Sequence, residues 1–138
     1  MNLQFFQPQI ARKLLPLVAQ FIPAGEAAEA DNAIEWVDLN EYVSNGSDCI
    51  LYIRVRGDSM IDLPIFDGDL LVVDRLACPE NGKIILARTK QGYTVKKYKK
   101  QNYGLFLVPA NKKFTATQIL RKDNFEIIGV VTGVYHKF

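Results

Sequence analysis

The chain has 138 residues, 49% of them hydrophobic and 23% charged, the proportions of a globular protein long enough to bury a core without metal or disulfide staples. A net charge of +2 is too small to imply a nucleic-acid coat or attachment to an anionic membrane surface. The apolar run near the N-terminus, LLPLVAQFI, follows Arg12 and Lys13 but is interrupted by Pro16 and Gln20. It falls far short of the about 20 residues that span a bilayer, so no membrane partner is expected and the expected location is the cytoplasm.

Taken in chain order, residues 1 to about 24 form a semi-apolar arm. Ile10 to Phe21 reads as a short helix broken near Pro16. Residues 23–34, PAGEAAEADNAI, are small and acidic, with few large apolar groups. They read as an exposed linker open to a protease. Leu39 to Val43 suits a helical turn. From Trp36 onward the pattern is mostly strands: Cys49 to Arg56, Asp69 to Asp74, Lys83 to Thr89, Tyr93 to Lys99, Leu105 to Pro109 and Phe125 to Phe138. Turn signals separate them, DGD at 67–69, ENGK at 80–83, KQG at 90–92 and QNYG at 101–104. Strands this short and this evenly punctuated predict a mostly β, compact antiparallel domain behind a flexible N-terminal arm.

One serine stands out. Ser59 lies in GDSM, where the strand ending near Arg56 gives way to a turn. A nucleophilic serine needs a base, usually histidine, and the single histidine, His136, lies near the end of the chain. The lysines of YTVKKYKK offer another base. A free lysine has a pKa of about 10.4, so burial must lower it by about 3 units, roughly 4 kcal/mol, before it is neutral near pH 7. Apolar surroundings achieve shifts of that size, and a serine–lysine pair is a sound nucleophile and base. Lys96 and Lys97 are neighbours on a predicted strand and point to opposite faces. At most one reaches Ser59, the other is expected to face solvent, and periodicity does not choose between them.

Plainer readings compete. A lone serine is ordinarily a turn residue. Lys96, Lys97, Lys99 and Lys100 with Tyr93, Tyr98 and Tyr103 resemble a nucleic-acid patch in composition, but a solvated strand and turn accounts for them, and no sequence-specific DNA binding is expected. Asp67-Gly68-Asp69 suits a turn and lacks the spacing of a calcium loop. Cys49 and Cys78 form no CxxC pair and have no histidine beside them, so they read as buried reduced thiols, and neither a metal nor another cofactor is called for. The RGD at 56–58 ends a predicted strand and is taken as coincidence. Asn111 reads as a residue that holds its own loop through side-chain to backbone bonds.

GDSMID, DGDLLVVD, GYTVKK and VPANKKF, in this order and spacing, resemble the LexA/UmuD family of self-cleaving serine–lysine peptidases, whose β domain is also signal-peptidase-like. The resemblance covers nearly the whole chain, from LPLV to GVV. It implies that Ser59 is the nucleophile and that Lys96, the first lysine of TVKK, is the base. It implies cleavage between a small residue and glycine, here Ala24 and Gly25. That divides the chain into a removable arm, 1–24, and a β-rich product, 25–138. Backbone amides near Asp58 and Ser59 are candidates to hold the oxyanion. Because only 24 residues precede Gly25, the chain looks closest to the UmuD type. That likeness implies a homodimer, cleavage stimulated by a RecA–single-stranded-DNA filament, and a product that joins a Y-family polymerase catalytic subunit of the UmuC kind in translesion synthesis. Leu15 to Val18 resembles a sliding-clamp contact. The alternatives are a non-cleaving interaction subunit and a phage-borne LexA-like regulator.

Overall fold

The computed structural model describes residues 11–19, 21–27, 29, 33–58, 60–120 and 123–138. The chain divides into two compact units, residues 1–46 and 47–138.

In the first unit, β1 (Leu14–Val18) pairs antiparallel with β2 (Ile34–Asp38), and α1 (Leu39–Ser44) follows directly. The expectation of a helix over Ile10 to Phe21 is corrected here, since residues 14–18 form a strand. Pro16 explains the choice. It would remove a helical hydrogen bond and clash one turn back. In the ribbon it sits opposite Trp36. The Ala19 N–H bonds to the Ala33 carbonyl, so by alternation the Pro16–Trp36 pair is one that exchanges no backbone bonds and needs no N–H. Asp38 ends β2 and caps α1. Its Oδ1 accepts from the Asn40 and Glu41 amides, and its Oδ2 accepts from the Lys13 amide at 2.9 Å. The cap therefore also anchors the start of the arm. These bonds hold the Asp38 carboxyl below the usual carboxylate range, the Lys13 amide foremost.

The second unit carries a seven-stranded antiparallel sheet. It contains β3 (Ile50–Arg54), β4 (Leu70–Asp74), β5 (Ile84–Thr89), β6 (Gly92–Gln101), β7 (Gly104–Val108), β8 (Thr117–Ile119) and β9 (Glu126–Tyr135). The spatial order is β3-β4-β9-β5-β6-β7-β8. The last strand thus closes the gap between two early hairpins. The mostly β antiparallel class expected from the punctuation is the one observed. β8 and β2 escaped the pattern reading, because three residues and a mixed IEWVD stretch are too little to show an alternation.

Alternation along β5 sorts the core onto two faces. Leu86 joins Met60, Ile65, Leu71, Val73, Val95 and Ala110 on one. Ile85 and Ala87 join Leu107 and Val130 on the other. Leu71, Val73 and Ile85 are fully buried. β9 enters with register shifts against both β4 and β5, and Gly129 sits at the closest approach. A Cβ there would lie 2.7 Å from the Asp74 carbonyl oxygen, so only glycine fits. The cysteines differ from expectation. Both are free, Cys49 is half-buried and Cys78 is exposed, because Cys78 falls in the turn that follows β4 rather than on a core strand.

Candidate active site

The site begins where β3 ends. The chain turns back to β4 through residues 55–69, and that return is fastened at both ends. The Val55 N–H donates to the Asp69 carbonyl at 2.9 Å, and the Gly68 N–H donates to the Val55 carbonyl at 2.8 Å. Phe66 to Asp69 is a tight turn closed by the Asp69 N–H on the Phe66 carbonyl. Gly68 takes a φ of 88° at its third position, a conformation that favours glycine. The Asp67 side chain then reaches back and accepts from the Gly57 N–H at 2.8 Å. The DGD sequence is therefore a turn, as expected, and also a hook for the glycine of GDSM.

Ser59 lies outside the described residues. Its two chain neighbours are held firmly. The Asp58 carbonyl accepts from Asn111 Nδ2 at 2.7 Å and from the Ile61 amide at 3.1 Å. Met60 is 3% exposed, and the Ala110 N–H points at its sulfur at 3.5 Å. The Asp62 N–H donates to the Ala110 carbonyl at 2.6 Å. Asn111 does hold its own loop, through the Lys113 amide on Oδ1. It also ties that loop to the one carrying GDSM, a role that no spacing in the sequence reveals.

Lys96 lies in the middle of β6, opposite the fully buried Ile85. It is half-buried, and its Nζ donates to the Val95 carbonyl at 3.1 Å. Burial among these apolar neighbours holds its pKa below the ordinary lysine value. Lys97 pairs with Ile84 and Val108. It is also half-buried rather than solvent-facing as expected, on the face it shares with Val95 of the first core cluster. Met60, next to Ser59 in the chain, and Val95 belong to one core cluster, whereas Lys96, opposite Ile85, lies on the other face, with the second cluster. Lys96 borders a cleft of about 460 Å³ whose wall includes Tyr93 and Thr94 of β6, Leu107 of β7, Ile119 of β8 and Phe125. The volume is within the range of ligand-sized clefts, roughly 300–1,000 Å³. Toward the end of β6, Lys99 and Lys100 are exposed.

Ala24 and Gly25 are exposed, in the connection between β1 and β2. A Cβ on Gly25 would meet nothing within 4 Å. Packing therefore does not demand a glycine there. Among the described residues no cluster of three or more His, Cys, Asp or Glu side chains is placed to hold a metal ion, and no helix is long and apolar enough to cross a membrane.

Comparison with known proteins adds a second, independent line. Residues 16–132 match the sequence pattern of the family described as Peptidase S24-like. The chain is 35% identical over 134 residues to a LexA repressor of Bordetella parapertussis, covering 95% of this chain and 60% of that protein. It is 35% identical over 128 residues to a LexA repressor of Thermotoga maritima, covering 91% and 64% respectively. The chain thus spans less than two thirds of the length of these relatives.

Proposed function

The chain belongs to the Peptidase S24-like family, and from that premise we propose that it is a LexA-like autoprotease that cuts its own Ala24–Gly25 bond with a Ser59–Lys96 dyad. The observation that carries the reading is Lys96 itself, a half-buried lysine at the wall of a cleft, with its charged form disfavoured by burial. A lysine so placed is neutral, and therefore free to take a proton, at a lower pH than a solvated one.

The steps follow from that chemistry. Neutral Lys96 takes the proton of Ser59 Oγ, and the oxygen attacks the Ala24 carbonyl carbon. Backbone amides at Asp58 and Ser59 are the proposed holders of the oxyanion. The bond to Gly25 breaks, and the lysine proton passes to the departing amine. Water then hydrolyses the acyl-serine and frees residues 1–24 from 25–138. The exposed linker gives the scissile bond access, and the small Ala24 side chain suits a narrow subsite. Gly25 in a place where packing imposes no glycine supports a role at the scissile bond.

At a finer level, the proposed setting is the SOS response in the cytoplasm. There the protein is a homodimer triggered by a RecA–single-stranded-DNA filament, and its product is a UmuD-type accessory subunit of a UmuC-like Y-family polymerase. The apolar residues Leu15, Leu17 and Val18 of β1 are exposed, which supports a protein contact such as a sliding clamp through Leu15 to Val18.

Mass spectrometry of the purified chain at pH 9–10, and at neutral pH with RecA filaments, tests the reading. The expected outcome is loss of residues 1–24 in the parent and in Lys97→Ala, with Ser59→Ala and Lys96→Ala intact. Cleavage that survives Lys96→Ala but not Lys97→Ala would move the base. An intact parent under every condition would make the protein a non-cleaving subunit.

A further inference from the structure

Asp69 is a buried carboxylate, 2% exposed and among the most deeply buried side chains described. A buried carboxylate is costly unless its oxygens are bonded. Its Oδ2 accepts from the Phe66 N–H at 2.7 Å. Its Oδ1 lies 2.5 Å from Nδ1 of His136, just beyond β9. The His136 side chain is 43% exposed; its ring lies against Phe66, with ring centres 5.2 Å apart, and edge-on to the exposed Phe138 at 5.6 Å. This histidine is unused by the proposed chemistry, yet it is docked on the turn whose other aspartate, Asp67, holds the Gly57 amide.

We infer that His136 is a positioning residue for the nucleophile loop: by donating from Nδ1 to the Asp69 carboxylate it locks the Phe66–Asp69 turn, on which Gly57 and the segment leading to Ser59 are hung. The chain of bonds is short and continuous. His136 fixes Asp69. Asp69 holds Phe66 through both backbone and side chain. The turn so closed presents Gly68 to Val55 and Asp67 to Gly57. Without the histidine, Asp69 Oδ1 must find water at the protein edge, and the turn gains freedom that passes to the loop. The inference rests on the reading of Ser59 as nucleophile for its catalytic consequence, while its structural content does not.

The test uses amide hydrogen exchange in the full chain carrying Ser59→Ala, which keeps it uncut. Loss of one such hydrogen bond predicts that His136→Ala lowers protection at the Gly57 and Phe66 amides roughly fivefold to tenfold, with the core amide of Leu71 unchanged. His136→Asn, whose side-chain amide can donate in place of Nδ1, restores protection. Unchanged Gly57 protection in His136→Ala overturns the inference. So does an equal loss in Ala and Asn variants, which assigns the effect to ring packing, or a parallel loss at Leu71, which assigns it to global stability. With Ser59 present, self-cleavage of His136→Ala is expected to slow by a similar factor and to recover in His136→Asn; cleavage at the parent rate overturns the inference. If the parent does not cut itself but the exchange pattern holds, the dyad reading fails and the coupling of His136 to the loop stands.

Discussion

Asn111, in the turn after β7, donates from Nδ2 to the carbonyl of Asp58 at 2.7 Å, joining two loops that are 53 residues apart in sequence. Its Oδ1 meanwhile accepts from the Lys113 amide. The residue is 7% exposed, while its two partners, Asp58 and Lys113, are exposed. Asn111→Ala removes both bonds, a net loss of roughly 0.5–1.5 kcal/mol for each. Urea unfolding of the uncut Ser59→Ala chain is expected to show a lower midpoint by that amount. Self-cleavage is expected to fall further than stability alone explains, because the bond lands one residue before the candidate nucleophile. Equal cleavage by parent and Asn111→Ala at matched folded fraction would remove the loop tie from the catalytic argument.

The lowered pKa of Lys96 sets a pH dependence in two measurements. Proton abstraction needs neutral lysine, so the first-order cleavage rate is expected to rise with pH and level off at a pH below 10.5, the ordinary lysine value. The cause, burial, also bears on stability. Folding disfavours the charged form, so the penalty is full at low pH and shrinks as pH rises through the folded pKa toward the unfolded one. In the Ser59→Ala background, Lys96→Met is therefore expected to be more stable than Lys96 at pH 7, with the gap closing as pH approaches 10.5. A constant gap from pH 7 to 10.5 in urea titrations would contradict a desolvated Lys96.

Asp38 fastens the ribbon of the first unit at its open end. It caps α1 and takes the Lys13 amide on its other oxygen. Asp38→Ala is expected to speed limited proteolysis in the β1–β2 connection severalfold, since a two-stranded ribbon is marginal without added fastening. The bonds that lower the Asp38 pKa also predict acid sensitivity. Their contribution is present above about pH 4, the unfolded carboxylate range, and is lost as pH falls through the lower folded value. Proteolysis with an acid-active protease across pH 2–5 reads that loss, which Asp38→Ala should abolish.

Gly129 marks where β9 passes closest to β4. An added methyl group would sit 2.7 Å from both the Asp74 carbonyl oxygen and a Val73 methyl. Gly129→Ala is expected to destabilise the second unit by about 1–3 kcal/mol, the usual cost of forcing atoms into a packed core. At Gly25, where a Cβ meets nothing, Gly25→Ala is expected to leave the unfolding midpoint unchanged, so any loss of cleavage there reports on the scissile bond alone.

Much of the second unit was legible because its strands carry strong local signals. β4, β5 and β6 follow runs of branched and aromatic residues, each closed by a glycine turn, and nothing in the tertiary structure competes with those preferences. The arm is not legible in this way, for the opposite reason. Leu14 to Val18 is apolar without a clear period, and its conformation is decided by a partner strand that begins at Ile34. The motifs GDSM and TVKK likewise named a serine and a lysine. Which of two adjacent lysines is buried beside a cleft depends on how β6 lies between β5 and β7. Strand alternation shows that the two differ, but a one-residue slip in register would exchange them.

The chemical inventory is legible from residue order: a serine without a nearby histidine, a paired lysine on a strand, a small-residue–glycine bond in an exposed linker, and a β domain of short strands. Those are properties of residue type and of neighbours within a few positions. The tertiary structure alone decided how the parts are held. It ran β9 between β4 and β5, set Lys96 against Ile85, sent Asn111 to Asp58, and brought His136 from the far end of the chain onto Asp69. Each of those is a contact between distant segments, fixed by which faces must bury apolar surface and which buried polar groups must find partners, and neither demand is written in any local stretch of residues.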